Sequence, residues 1–443
     1  MNKNINLPIE NEKPSAYAER LGHMYSYMTA QNDKKFKGQF FTPGEIAKFM
    51  AERADYPLNN DIRILDPGCG SAILSCALIE VISAKSNNPK RIHLDLYDTD
   101  TDLIPYTEKV LTYLQYWCAK QKINLSYNIY SSDFVSDNAD SISNQDTLFK
   151  DDGVQRYDYI ISNPPYFKIP KDDKRAKVCS SIVDGQTNIY ALFMAICARK
   201  LKDKGQMIFI TPRSFASGRY FQSFRNFLFN NVILDFVHLF KTRKDTFAKD
   251  DVLQELIITR FHCLPGNGKI VISNSVGTSD LSESSVKVHE SRAIVDINSN
   301  EKIIYLPANN REEAILDLFR LWNGTLGKYG IKISTGPVVA FRAYDYIIPN
   351  EVKDSVPLLW MHNVVKMLTD HPVNKKGKGQ YIIVNKETRS SLLPNKNYVL
   401  LRRFSSKDDD SRLIAAPYFG NMAKYELVGI ENKLNYTTGR AVG

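Results

Sequence analysis

Only six of the 443 residues are cysteine, at positions 69, 76, 118, 179, 197 and 263, and none stands in a CxxC pair. That scatter excludes a disulfide framework and offers no metal-ligand spacing, so reduced thiols, no metal and a cytoplasmic setting are expected. Long apolar runs are lacking too. The best one, Ala72 to Ala84, is interrupted by Glu80 and is shorter than the roughly 18 residues a membrane-spanning helix needs, so no membrane association is expected. The opening stretch, MNKNINLPIENEKPS, has no apolar core of the kind a secretory leader carries. Internal repeats and low-complexity tracts are absent. What is present, 43% hydrophobic and 24% charged residues, describes a globular chain of two or three domains.

Charge is distributed unevenly. Residues 325–443 hold 18 Lys+Arg against 10 Asp+Glu, a balance of +8 out of the total +9, which leaves residues 1–324 near neutral. A neutral body with a basic C-terminal quarter suits a catalytic domain joined to a module for a polyanion; a solvated basic surface is the plainer alternative.

Short β-rich runs at 62–66 (IRILD), 92–98 (IHLDLYD), 157–162 (YDYIIS) and 206–211 (QMIFIT) alternate with helical patterns over 70–84, 102–119 and 188–201. Strands alternating with helices predict a Rossmann-like, doubly wound α/β sheet covered on both faces, with chemistry beyond the C-terminal strand ends. The polar stretches 137–153 and 168–187 read as long surface loops, the second as a mobile lid over a site. We read 1–37 as an N-terminal helical extension and 38–263 as the catalytic domain. Residues 264–322 form an added β element with a connecting helix over 312–322, and 323–443 form a separate basic domain.

Three segments carry chemistry. Asp66-Pro67-Gly68-Cys69-Gly70-Ser71-Ala72 follows a strand and opens a helix, and its glycines allow a ligand close to the backbone. The next strand ends at Asp98, a carboxylate able to accept both hydroxyls of a ribose, whereas Asp100 and Asp102 read as helix-entry or solvated residues. No basic residue lies in the 66–72 turn to neutralise a phosphate. S-adenosyl-L-methionine, a cationic adenosine derivative, fits such a site. The second segment, Ser162-Asn163-Pro164-Pro165-Tyr166-Phe167, also follows a strand. Its prolines remove N–H donors, leaving carbonyls that only accept. Asn163 Oδ1 and the Pro164 carbonyl would each take one N–H of a planar amine while Tyr166 stacks on the ring. The third, Gly38-Gln39-Phe40-Phe41-Thr42-Pro43-Gly44-Glu45, reads as a capping box with Thr42 as cap and Pro43 at the first helical position.

The order FFTP, DPGCGSA, NPPY and then a basic tail resembles the γ-class, TaqI-like N6-adenine DNA methyltransferases over about residues 38–262. The tail, around Ser334-Thr335-Gly336-Pro337 and Tyr398–Phe404, resembles the recognition half of the PstI/BsuBI-like branch. The resemblance implies that Phe41, Thr42 and Pro43, the turn residues Asp66, Gly68 and Gly70, and Asp98 bind S-adenosyl-L-methionine. Asp133 and Phe134 would take its adenine. Asn163, Pro164, Pro165 and Tyr166 would hold a flipped adenine, with Phe247 stacking opposite Tyr166. The amine would then displace S-adenosylhomocysteine from the methyl in line. The C-terminal domain would bind double-stranded DNA and recognise the target, with Lys375, Lys376, Lys378, Arg402 and Arg403 meeting the phosphates. A monomer serving a restriction-modification system, beside a cognate endonuclease, is implied.

Two departures from the family stand out. Ala72 sits where the family often has glycine, and the chain ends at Gly443, so an incomplete recognition domain is expected. The rival readings are an NPPY methyltransferase acting on RNA adenine or a protein glutamine amide, and a non-catalytic DNA-binding relative.

Overall fold

The structure, a computed structural model, describes residues 7–28, 41–55, 59–84, 89–143, 155–182, 187–240, 255–263, 268–322, 324–405, 411 and 413–439. Two compact units divide between Ala314 and Ile315, ahead of the boundary expected near 323 and inside the helix Asn310–Arg320.

In the first unit, α1 (Pro14–Met28) and α2 (Gly44–Glu52) precede β1 (Asp61–Pro67), α3 (Ile73–Ser83), β2 (Arg91–Tyr97), α4 (Ile104–Lys120), β3 (Asn124–Tyr130) and β4 (Tyr157–Ser162). There follow α5 (Ile189–Arg199), β5 (Leu201–Pro212), α6 (Gln222–Asn231), β6 (Val232–Phe240), β7 (Leu256–Cys263), β8 (Lys269–Ser275) and β9 (Ser285–Glu290). These strands build one sheet in the order β9-β8-β6-β7-β5-β4-β1-β2-β3. Toward their C-terminal ends β1 and β4 are buried at consecutive positions rather than alternating, as expected for strands covered on both faces.

The parallel sheet expected from sequence is found in β3, β2, β1, β4 and β5. Beyond it β7 runs antiparallel to both β5 and β6. Residues 269–290 supply the added β element expected from sequence: β8 and β9 extend this same sheet. Ile270 and Ile272 supply the reason, since they complete the hydrophobic face begun by β6 and are buried in the same core. Strand direction and sheet membership are not written in a short apolar run.

The N-terminal helix is likewise part of the body. Tyr17, Ala18 and Leu21 of α1 are buried in the main core. Glu80, the charge that breaks the apolar run of α3, accepts Ser15 N at 2.7 Å and Ser15 Oγ at 2.9 Å, satisfying the start of α1.

The chain moves outward from β1 to β2 and β3, then returns on the other side of β1 as β4. That reversal opens a crevice at the C-terminal ends of β1 and β4, the place where such sheets bind ligands.

The second unit is built mostly from short strands. One sheet joins Lys332–Thr335, Leu434–Thr438, Asn397–Arg402 and Ala415–Phe419, and another is centred on Ser355–Leu359. Small apolar clusters around Leu400 and Ile430, and around Leu358 and Trp360, hold them. Gly336 of the Ser-Thr-Gly-Pro motif has a packing reason: any Cβ there would collide with the Glu431 carbonyl oxygen. No helix among the described residues is long and apolar enough to cross a membrane.

Candidate active site

Three strand ends meet at the crevice. After β1, Gly68 (φ +75°) and Gly70 (φ +55°) take left-handed conformations that residues with a Cβ adopt at a cost. The Gly68 and Cys69 N–H groups donate to the Tyr97 carbonyl of β2 at 2.8 and 2.9 Å, and Gly70 N donates to Asp98 Oδ2 at 2.9 Å. Thr107 Oγ1 of α4 fixes the Gly70 carbonyl at 2.7 Å. Ala72, where the family often has glycine, is also left-handed at φ +63°, a conformation that costs alanine about 1–2 kcal/mol.

On the other side, Ser162 Oγ at the end of β4 donates to the Pro67 carbonyl at 2.6 Å, tying the two loops together. A Cβ placed on Gly68 would lie 3.8 Å from Pro165 and 3.9 Å from the Asn163 carbonyl, so the glycine bend and the Asn-Pro-Pro segment are in van der Waals reach.

Between them lies one cavity of about 390 Å³. Its wall includes Phe41, Gly68, Gly70, Asp98, Asp133 and Phe134, and also Asn163, Pro164 and Pro165. Tyr97 contributes a ring stacked on Tyr130 at 4.6 Å and edge-on to Phe134 at 5.2 Å. The charged wall groups are the carboxylates Asp98 and Asp133 and a single guanidinium, Arg175, among the described residues. Aromatic faces, acceptor carboxylates and glycines without Cβ atoms fit an adenosine carrying positive charge.

Asn163 is held from two sides. Its Nδ2 donates to Thr42 Oγ1 at 3.0 Å, and its Oδ1 faces the Tyr166 hydroxyl, which also lies 2.9 Å from the Ile210 carbonyl. Burial raises the Tyr166 pKa well above its ordinary value, so the phenol stays a neutral donor.

Thr42 therefore corrects the capping-box expectation. Pro43 is the N-cap residue of α2, and Gly44 N is satisfied by Glu19 Oε1 of α1 at 2.8 Å. With the helix end supplied from another element, the threonine hydroxyl is left to hold Asn163. Thr42→Val should lower kcat about tenfold, the worth of one hydrogen bond near a reacting group, with little change in cofactor affinity by calorimetry.

Other expected site residues sit elsewhere. Tyr166 does not line the cavity: its ring is 9% exposed and meets Tyr190 edge-on at 6.4 Å, and Phe167 is the aromatic of the motif on the wall. A buried phenol needs a partner for its hydroxyl, and the Ile210 carbonyl draws it inward. Asp66 is fully buried behind the turn, accepting Ser75 Oγ at 2.6 Å, and is absent from the wall. Asp100, expected at a helix entry or in solvent, does open α4 but is buried, accepting Tyr25 OH at 2.8 Å. Phe247 lies outside the described residues, as do Gly38, Gln39 and Phe40.

Burial pushes the Asp66 carboxyl up to about 7, and its Oδ1 has no hydrogen-bond partner among the described residues. Its folded pKa exceeds the unfolded value. Its stabilising contribution is therefore full below about pH 4 and falls by about 1.4 kcal/mol per pH unit up to about 7. Asp66→Asn should flatten that fall, raising the thermal midpoint more at pH 8 than at pH 5.

In the second unit, Lys375, Lys376 and Lys378 line a cleft of about 1200 Å³ together with Phe341, Tyr344 and Trp360. The lysines form a tight turn at Gly377 (φ +72°), and Lys378 Nζ sits 4.2 Å above the Trp360 ring. Arg402 and Arg403 are not on that cleft. Arg402 Nε donates to the Val364 carbonyl at 2.6 Å and Arg403 Nη1 to the Asn432 carbonyl at 2.7 Å.

Sequence reasoning missed Thr99, Ser132, Arg175 and Phe193 on the active-site wall. Thr99 and Ser132 follow β2 and β3 directly, a position that marks such sheets' ligand residues; Phe193 faces the crevice from α5, and nothing in its local pattern says so.

Fold and site together define a Rossmann-like, S-adenosyl-L-methionine-dependent methyltransferase. The chain is 32% identical to the type II methyltransferase M.BsuBI of Bacillus subtilis, over 91% of its own length and 78% of that protein's. It is 28% identical to M.PstI of Providencia stuartii, over 90% and 77%. The chain belongs to the type II methyltransferases of restriction-modification systems, in the branch of M.BsuBI and M.PstI. Residues 95–247 match the Eco57I restriction-modification methylase family. Among solved structures, the ATP-dependent type ISP restriction-modification enzyme LlaBIII shares the fold at TM-score 0.51 and 12% identity, covering 96% of this chain and 35% of that one.

Proposed function

We propose that this methyltransferase is site-specific for DNA and modifies N6 of an adenine turned out of the duplex, protecting the site from a cognate endonuclease. We further propose that residues 38–314 carry the chemistry, that the second unit recognises the target, and that the enzyme works as a monomer. The observation that carries the reading is that the Gly68 bend and Asn163-Pro164-Pro165 line one cavity, joined by the Ser162–Pro67 hydrogen bond.

The ribose hydroxyls of the cofactor would bond Asp98, and its adenine would lie against the face of Phe134 with its amine toward Asp133. Phe41 would close the cavity over Gly70, whose ideal Cβ is 3.6 Å from that ring. When bound, S-adenosyl-L-methionine supplies the methyl group as a sulfonium electrophile. Asn163 Oδ1 and the Pro164 carbonyl accept the two N–H groups of the target amine, drawing its lone pair out of conjugation. Thr42 and Tyr166 hold the Asn163 amide in that orientation, and Phe167 offers the aromatic face beside the base. The chain's part is orientation rather than covalent catalysis. Turning the base out costs a few kcal/mol, offset by stacking and these two bonds.

The test is transfer of labelled methyl from S-adenosyl-L-methionine to unmethylated genomic DNA, RNA and protein, followed by mapping of the modified atoms. Label on adenine N6 within a fixed DNA sequence is expected. Label confined to RNA or to glutamine amides would overturn the reading.

Replacing Lys375, Lys376 and Lys378 together by alanine should weaken binding to all duplexes alike. It should also flatten the slope of log K against log salt by about 2–3, at roughly 0.9 per lost phosphate contact. Fluorescence anisotropy across a salt series measures both.

A further inference from the structure

Arg175 stands out on the cavity wall because nothing in the proposed chemistry uses it. It lies on the segment that leaves the Asn-Pro-Pro-Tyr-Phe motif, read from sequence as a long loop. Instead, Lys168–Ile169 pair with Thr187–Asn188, a short helix spans Lys174–Val178, and Ala176, Cys179 and Ile182 are buried.

The guanidinium grips two carboxylates. Nε and Nη2 bind Asp173 Oδ1 and Oδ2 at 3.0 and 2.7 Å, and Nη1 binds Asp133 Oδ2 at 3.2 Å. Asp133 Oδ1 in turn accepts Ser136 N at 2.7 Å. Both oxygens of Asp133 are thus fixed, yet a carboxylate has about four lone-pair sites, so each keeps capacity for a ligand. The Arg175 guanidinium carbon also sits 5.7 Å from the centre of the Phe167 ring, on the same wall.

We infer that Arg175 is a positioning residue for the cofactor: it sets the Asp133 carboxylate to receive the adenine amine and ties that end of the site to the segment following the Asn163 motif. The inference rests on the reading of Asp133 as the adenine acceptor. The fork is specific to arginine, since an ammonium cannot pair bidentately with Asp173 while reaching Asp133 in a fixed plane.

The experiment is a double-mutant cycle on the full chain, with S-adenosyl-L-methionine affinity measured by calorimetry for wild type, D133A, R175A, R175K and D133A/R175A. Tenfold-scale losses, about ten to thirty, are expected for D133A and about ten for R175A, while R175A costs less than about twofold in the D133A background, as for residues acting through one contact. R175K should recover only a minor part. In turnover on unmethylated DNA, the R175A loss should appear in KM for the cofactor rather than in kcat, which general damage to the site would lower. If D133A weakens binding but R175A does not, or if the R175A loss persists undiminished in the D133A background, the inference falls while the reading of Asp133 stands. If D133A leaves affinity unchanged, the reading of Asp133 falls and takes the inference with it.

Discussion

Asn163→Ala is expected to lower kcat for methyl transfer by about a thousandfold, the scale seen when a preorganised hydrogen-bonding group is removed from a reacting centre. Cofactor affinity should move less than about threefold, the scale of one weak net contact. The contrast follows from where the side chain sits. Asn163 lines the cavity beside Pro164 and Pro165, and its side-chain amide bonds Thr42 and Tyr166. Alanine removes the side-chain acceptor for the target amine and leaves Gly70, Asp98 and the Ser162–Pro67 tie in place. Rapid-quench methylation with labelled cofactor, together with calorimetry, separates the two quantities. Wild-type turnover in the variant would remove Asn163 from the mechanism.

Asp98→Ala should show the opposite pattern, a loss of about a hundredfold in cofactor affinity, since charge-assisted hydrogen bonds are each worth about 1.5–3 kcal/mol. Asp98 acts on the protein as well as on the ligand. Its Oδ2 accepts Gly70 N and its Oδ1 accepts Asp100 N, both at 2.9 Å. The variant therefore loses the ribose acceptor and frees the bend against which the cofactor lies. Asp98→Asn keeps one acceptor oxygen and should recover part of the loss. If either variant impaired DNA affinity alone, the assignment of the ribose carboxylate would be wrong.

Much of the site was legible because it follows strand ends. Gly68, Gly70, Asp98, Asp133 and Asn163 each sit at or just after the C-terminal end of a strand, where a sheet of this kind gathers its chemistry, and all line one cavity. What misled was orientation and partnership. Thr42 followed by Pro43 and Glu45 is a capping pattern, yet a carboxylate from α1, Glu19, takes the helix end. Tyr166 and Phe167 are adjacent aromatics, and only packing against Tyr190 decides which ring faces inward. Arg175 reads as one basic residue in a charged stretch until the fold brings Asp133 beside it.

Residue type and spacing set the alternating strands and helices of the catalytic body, the Asn-Pro-Pro segment whose prolines carry no N–H, the glycine bend and the basic character of the C-terminal quarter, because each is a local property of the chain. Tertiary structure alone decided that β8 and β9 continue the main sheet, that Thr42 holds Asn163, and that Asp66 is withdrawn from the cavity. Those outcomes depend on which groups from distant parts of the chain meet in a closely packed interior. There an unpaired donor or a buried charge is costly enough to override the local preference.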